Sequence, residues 1–141
     1  MSVPLKQMVL EKLAAYDTMA VAAADLEGNV DCAPVFFAFD PEGRLYFGTA
    51  PTSQKASHLA GNPRISVSMD DRTQSGLQLR GRADKLAGAE AEAAKARLLE
   101  RHPKVARWFE NPQLHFFRMT PEACFVINFA WGSDWRVPVP L

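Results

Sequence analysis

Apolar residues recur along this chain with two alternating periods. Leu5, Met8, Val9 and Leu13 follow helical spacing, with Lys6, Glu11 and Lys12 between them, so the chain opens with an amphipathic helix. Small apolar residues from Thr18 to Ala24 then predict a buried strand. Asp25 to Asn29 is a turn with Gly28-Asn29 as its reversal. Val30 to Phe39 reads as a second strand, interrupted at Pro34. Asp40-Pro41-Glu42-Gly43 is a turn signal that leads into a strand over Arg44 to Thr49. From Arg64 to Met69 the alternation is strict, with Ile65, Val67 and Met69 on one side and Ser66 and Ser68 on the other. After a polar loop, Leu77 to Leu86 repeats that pattern, with Leu77 and Leu79 opposed to Gln78 and Arg80. Gly88 to Arg101 is rich in Ala and Glu and predicts a helix stopped at His102-Pro103. Val105, Trp108 and Phe109 suggest a further helical turn. Leu114 to Met119 and Ala123 to Phe129 read as strands split by Thr120-Pro121-Glu122. About six or seven strands joined by tight turns, with helices inserted, predict a mainly β fold, a small barrel with α elements in one domain.

One segment carries candidate chemistry. The strand ending at Thr49 breaks at Ala50-Pro51 and restarts as a short helix near Ser53. Thr52 or Ser53 is suited to the N-cap, and Gly61-Asn62-Pro63 stops the helix. Hydroxyls, free backbone N–H groups and Lys55 thus converge on a helix N-terminus, where the dipole favours an anion. The same segment is also readable as an ordinary capped surface helix with one solvated lysine.

Composition narrows the classes. The 141 residues carry sixteen basic and sixteen acidic side chains, a balance that does not suit a general polyanion binder, so no nucleic-acid partner is expected. Arg64, Arg72, Arg80 and Arg82 nevertheless lie close enough in sequence for a local basic patch. Cys32 and Cys124 fit no zinc spacing or disulfide framework. Each lies in an apolar run, so buried free thiols and a reducing cytoplasmic setting are expected. The start, Met-Ser-Val-Pro-Leu-Lys-Gln, lacks the pattern of a signal peptide, and no apolar stretch reaches the ~18 residues of a membrane span. Asp31, Asp70 and Asp71 form no carboxylate spacing for a metal.

Several short motifs, in order, carry a likeness to a known family. They are Ala33-Pro34-Val35-Phe36-Phe37, Leu45-Tyr46-Phe47-Gly48-Thr49, Ser53-Gln54-Lys55-Ala56, Asn62-Pro63-Arg64-Ile65-Ser66-Val67 and Leu79-Arg80-Gly81-Arg82-Ala83. From about Thr18 to Gly132 the chain resembles the pyridoxamine 5′-phosphate oxidase-like FMN-binding split barrels. The resemblance implies a homodimer with FMN at the subunit interface, ahead of haem or a deazaflavin as the bound group. It implies an oxidoreductase acting on a small molecule, with a nicotinamide nucleotide or oxygen as redox partner. Carried over by position, Gly48 and Thr49 would lie along the cofactor, and Ser53, Gln54 and Lys55 would take its phosphate. Val35 and Phe36 would line the flavin, with Gln78 near its polar edge. Arg118 would assist the phosphate from the neighbouring subunit, and Trp131 (with Trp135) would cover the ring.

Departures from the family pattern matter as well. Gln54 stands where Arg is usual, and Cys32, Ala33, Phe36 and Phe37 replace the basic residues that the vitamin-converting oxidases carry on the second strand. The resemblance therefore argues against pyridoxamine phosphate as substrate. Its C-terminal third, ending Asn128-Phe129-Ala130-Trp131-Gly132, also resembles short members of the superfamily and, more loosely, its haem-utilisation branch. A non-catalytic flavin or haem binder, acting as carrier, sensor or haem-utilisation factor, is the alternative. Of the histidines, His58 is expected to cap or face solvent, His102 to be structural, and His115 to be buried or ligand-facing. Arg118 has a competing reading as a salt bridge with Glu122 or another acid.

Overall fold

The structure is a computed structural model that describes residues 3–70, 75–129 and 136–140. Helix α1 spans Val3–Ala15. Strands β1 (Thr18–Ala24), β2 (Val30–Phe36), β3 (Ala38–Phe39) and β4 (Leu45–Thr49) follow. Then come α2 (Gln54–Gly61), β5 (Arg64–Asp70), β6 (Ser75–Lys85), α3 (Gly88–Arg101), a 3-10 turn over Pro103–Val105 and α4 (Ala106–Phe109). The chain closes with β7 (His115–Asn128) and β8 (Arg136–Val139). The strands form one antiparallel sheet in the order β2-β1-β5-β6-β7-β4-β3, with β8 on β7. The sheet curls until β2 lies against β4, yet no ladder joins those two. The barrel is split there.

Alternation decides what fills it. Met19, Val21, Ile65, Val67, Leu77 and Leu79 point inward and meet Leu45, Phe47, Phe117 and Met119. Val9 and Leu13 of α1 and Leu59 of α2 join the same core. On the outside, Tyr46 and Phe116 are covered by Ala94 and Leu98 of α3 and Phe109 of α4, a second cluster. Elsewhere, Ala20, Ala22, Ser66, Ser68 and Arg80 stay at least partly exposed on the outer face of β1, β5 and β6.

Three strand expectations change. Pro34 does not interrupt its strand: β2 is an edge strand whose ladder lies on the β1 side, and Pro34 sits opposite Ala20. The break falls at Phe37 instead. The two late strands are one, because Pro121 sits opposite Gly81 where the β6–β7 register shifts, and the bulge absorbs the interruption. Strand β8 was not foreseen. Cys32 is exposed on edge strand β2, against the expectation of burial, whereas Cys124 is buried and burial pushes its thiol up to about 11.

Two buried polar centres hold the corners. Arg101, at the end of α3, donates to the carbonyls of Phe37 (2.9 Å) and Leu13 (2.8 Å) and also to that of Tyr16. His102 Nε2 bonds the same Phe37 carbonyl at 2.6 Å. The Arg101 guanidinium also lies over the rings of Phe37 and Phe39, 4.6 and 4.9 Å from their centroids. Burial holds its pKa below the ordinary arginine value, while Asp17 acts in the opposite direction. At the β3–β4 turn, Asp40 accepts from the N–H groups of Glu42 and Arg44, from Arg44 Nε at 2.7 Å and from the Tyr46 hydroxyl at 2.8 Å.

Substituting Arg101→Met removes all three of its hydrogen bonds to these carbonyls, and we expect a loss of about 3 kcal/mol in urea unfolding. Burial raises the Asp40 pKa, but hydrogen bonds from Arg44, Tyr46 and the backbone outweigh it and hold the carboxyl below its ordinary 3.8. Its contribution is therefore full above 3.8 and is lost as pH falls through the lower folded value. Acid unfolding of Asp40→Asn should lack that component, giving a shallower stability loss below 3.8 than the parent protein.

Candidate functional site

The segment read as a candidate anion seat forms the expected strand, turn and capped helix. Ser53 is the N-cap of α2, and its Oγ accepts from the Ala56 N–H at 3.1 Å. Thr49, buried at the end of β4, donates its hydroxyl to the same Oγ at 2.9 Å. With two bonds already received, Ser53 keeps its own hydroxyl proton to donate. Its N–H is used by Ala50, and that of Ser57 by Ser53 itself. The N–H groups of Gln54 and Lys55 are thus the open donors of the first turn. The Lys55 side chain is only 8 % exposed and has no ion pair or hydrogen bond among the described residues. Its stem is buried while the ammonium keeps contact with solvent. The seat is therefore four donors with no acceptor.

The remaining candidates divide. Gln54 is exposed at the lip of the seat. Gly48 is accounted for within the chain, since a Cβ there would meet the Phe116 ring at 3.1 Å. Val35 points into the core, so toward the split it can offer only backbone. Phe36 packs on the outer cluster, its ring 5.1 Å from that of His102. Gln78 is on β6, two strands from β4, opposite Ser68 and Phe125. Arg118 pairs with Glu90 of α3 at 2.7 Å, which matches its salt-bridge reading with Glu90 as the acid. Within one chain, Gln78 and Arg118 are not brought to the seat. Trp131 and Trp135 lie outside the described residues.

His58 departs from expectation: it is buried, and its Nδ1 lies 3.3 Å from the Ala23 carbonyl, tying α2 to β1. Polar neighbours in sequence hide this, because the packing face of α2 forms only in three dimensions. His102 is structural as expected, and His115 is half-buried opposite Thr49. No group of three or more His, Cys, Asp or Glu could hold a metal among the described residues. Nor, among the described residues, is any helix long and apolar enough to cross a membrane.

An antiparallel split barrel of this strand order defines a known fold class. The family model described as pyridoxamine 5′-phosphate oxidase matches residues 5–128, and the chain belongs to that family. No curated protein matches the chain in sequence. Among solved structures, protein Atu2129 (unknown function) of Agrobacterium tumefaciens is 23 % identical with a TM-score of 0.78. That match covers 96 % of this chain and 61 % of Atu2129, so the chain spans about three-fifths of that relative's length. HutZ, the heme storage protein of Vibrio cholerae, is 21 % identical (TM-score 0.71), covering 87 % of this chain and 92 % of HutZ. General Stress Protein 26 of Bacillus anthracis is 17 % identical (TM-score 0.73), covering 87 % and 93 %. At these identities the likeness is one of fold.

If Lys55 waits for an anion, Lys55→Met should leave the ligand-free protein within about 0.5 kcal/mol of the parent, since the lysine has no ion pair or hydrogen bond among the described residues to lose. Thermal unfolding in low-phosphate buffer measures this, and a loss of stability would show the lysine to be structural.

Proposed function

We propose that the protein binds FMN at the interface of a homodimer and acts as an oxidoreductase on a small molecule. The observation that carries this reading is the buried Lys55 beside the Ser53 hydroxyl and two open N–H groups. A phosphate monoester supplies the oxygens and the negative charge these donors lack. The split between β2 and β4, which no ladder closes, lies beside the strand that ends at the seat. Bound FMN supplies hydride transfer, and the protein's share is binding and orientation. Lys55 neutralises the phosphate, Ser53 and the α2 amides fix it, and Thr49 holds the Ser53 hydroxyl in place.

A second copy is part of this reading, because Gln78 and Arg118 reach no seat within their own chain. In a symmetric pair they would serve the seat of the partner.

The alternative is a flavin or haem binder without turnover. It is favoured by the resemblance in fold to the heme storage protein HutZ and by the lack of a titratable cluster at the seat. Two histidines are already committed to carbonyls, leaving His115 without a side-chain hydrogen bond among the described residues.

Equilibrium dialysis of the purified protein with FMN, followed by a visible spectrum, tests both readings. One flavin per chain should be retained, and Lys55→Ala should weaken binding at least about tenfold, near 1.4 kcal/mol. A Soret band with added haem and no retained flavin would favour the alternative. Retained flavin that nicotinamide nucleotides and oxygen-coupled substrates leave unreduced would point to a carrier.

A further inference from the structure

A second cationic site lies at the other end of α2. Arg64 on β5 and Arg82 on β6 stand directly opposite each other in the ladder, and Arg80 lies two residues along the same face of β6, opposite Ser66. Like charges in direct cross-strand register repel, so this pairing works against the ligand-free sheet. Nothing in the described structure relieves it: none of the three makes an ion pair or hydrogen bond through its side chain among the described residues. Arg80 is instead steadied over the Phe125 ring, 5.0 Å from its centroid, which leaves its N–H donors free.

The three arginines line a groove of about 510 Å³ whose wall is Ala22, Ser66 and Gly81. Its short side chains leave room above the sheet. Among the described residues one carboxylate, Glu122, stands on the rim, at the bulge where β7 shifts register against β6. The chain as a whole is neutral, so this excess of positive charge is local. Arg72, which sequence proximity places with them, lies outside the described residues.

We propose that this groove binds the terminal phosphate of a phosphorylated small molecule, separately from the seat at Lys55. Three guanidinium forks match three terminal oxygens and two negative charges, whereas a carboxylate offers two oxygens and one charge. The bound dianion turns the Arg64–Arg82 repulsion into a shared attraction. Neither the site nor its argument depends on flavin at the seat.

Isothermal titration of the full chain with inorganic pyrophosphate tests the proposal, in the parent protein, Arg82→Gln, Arg64→Gln and Lys55→Ala. We expect saturable binding that weakens about tenfold or more in either arginine variant and persists in Lys55→Ala. Succinate should bind far more weakly than pyrophosphate. In thermal unfolding without anion, Arg82→Gln should melt higher than the parent and should lose the upward shift that pyrophosphate gives the parent. Binding that is lost only in Lys55→Ala overturns the proposal, as does succinate binding equal to pyrophosphate. Failure of pyrophosphate to bind, with Arg82→Gln instead altering self-association on a sizing column, overturns it too, since carboxylates of a second copy would then be the partners.

Discussion

The carbonyl of Phe37 is where the fold is tied together. It accepts from both Arg101 and His102, while the same guanidinium reaches the carbonyls of Leu13 and Tyr16 at the end of α1. Three elements distant in sequence therefore share one donor group. Together with the Phe37 N–H bond to the Asp17 carbonyl, that clamp fixes the corner between β2 and β3 from which the β3–β4 hairpin sets out. The hairpin in turn delivers Thr49 to the start of α2. The half-buried cation is met by carbonyls, and the aromatic faces of Phe37 and Phe39 complete its surroundings.

Much of this plan was legible in the chain. The alternation of Ile65, Val67 and Met69 against Ser66 and Ser68 describes β5 as it stands, since one side of that strand meets the core and the other meets solvent. Helix α3 keeps the bounds its Ala- and Glu-rich composition indicated. The prolines misled. Pro34 and Pro121 look like strand breakers, but one lies at an open sheet edge and the other at a bulge, where a missing N–H is harmless. Such positions are defined by neighbours far away in sequence, so no local pattern reveals them.

The candidate site shows the same division. Thr49, Ser53 and Lys55 are near in sequence, and local rules for capping bring them together. Gln78 and Arg118 were tied to the seat by family resemblance, and the single chain keeps them apart. The opposed pair Arg64 and Arg82 lay in plain sight as two basic residues, but their meeting is a matter of β5–β6 register. His58 looked like a surface residue because its burial depends on α2 lying across β1.

Strand β8 has a consequence for how the chain reaches this state during synthesis. Val139 is buried in the same core as Val9 and Leu13 of the first helix, and β8 completes an edge of β7. The barrel interior is thus closed jointly by the helix that precedes the sheet and by its last strand. A ribosome-bound chain lacking β8 would carry the Cys124–Ile127 edge unpaired and the core open beside it. Folding of this barrel is held back until β8 has emerged, and the nascent chain passes through a stage with an adhesive sheet edge.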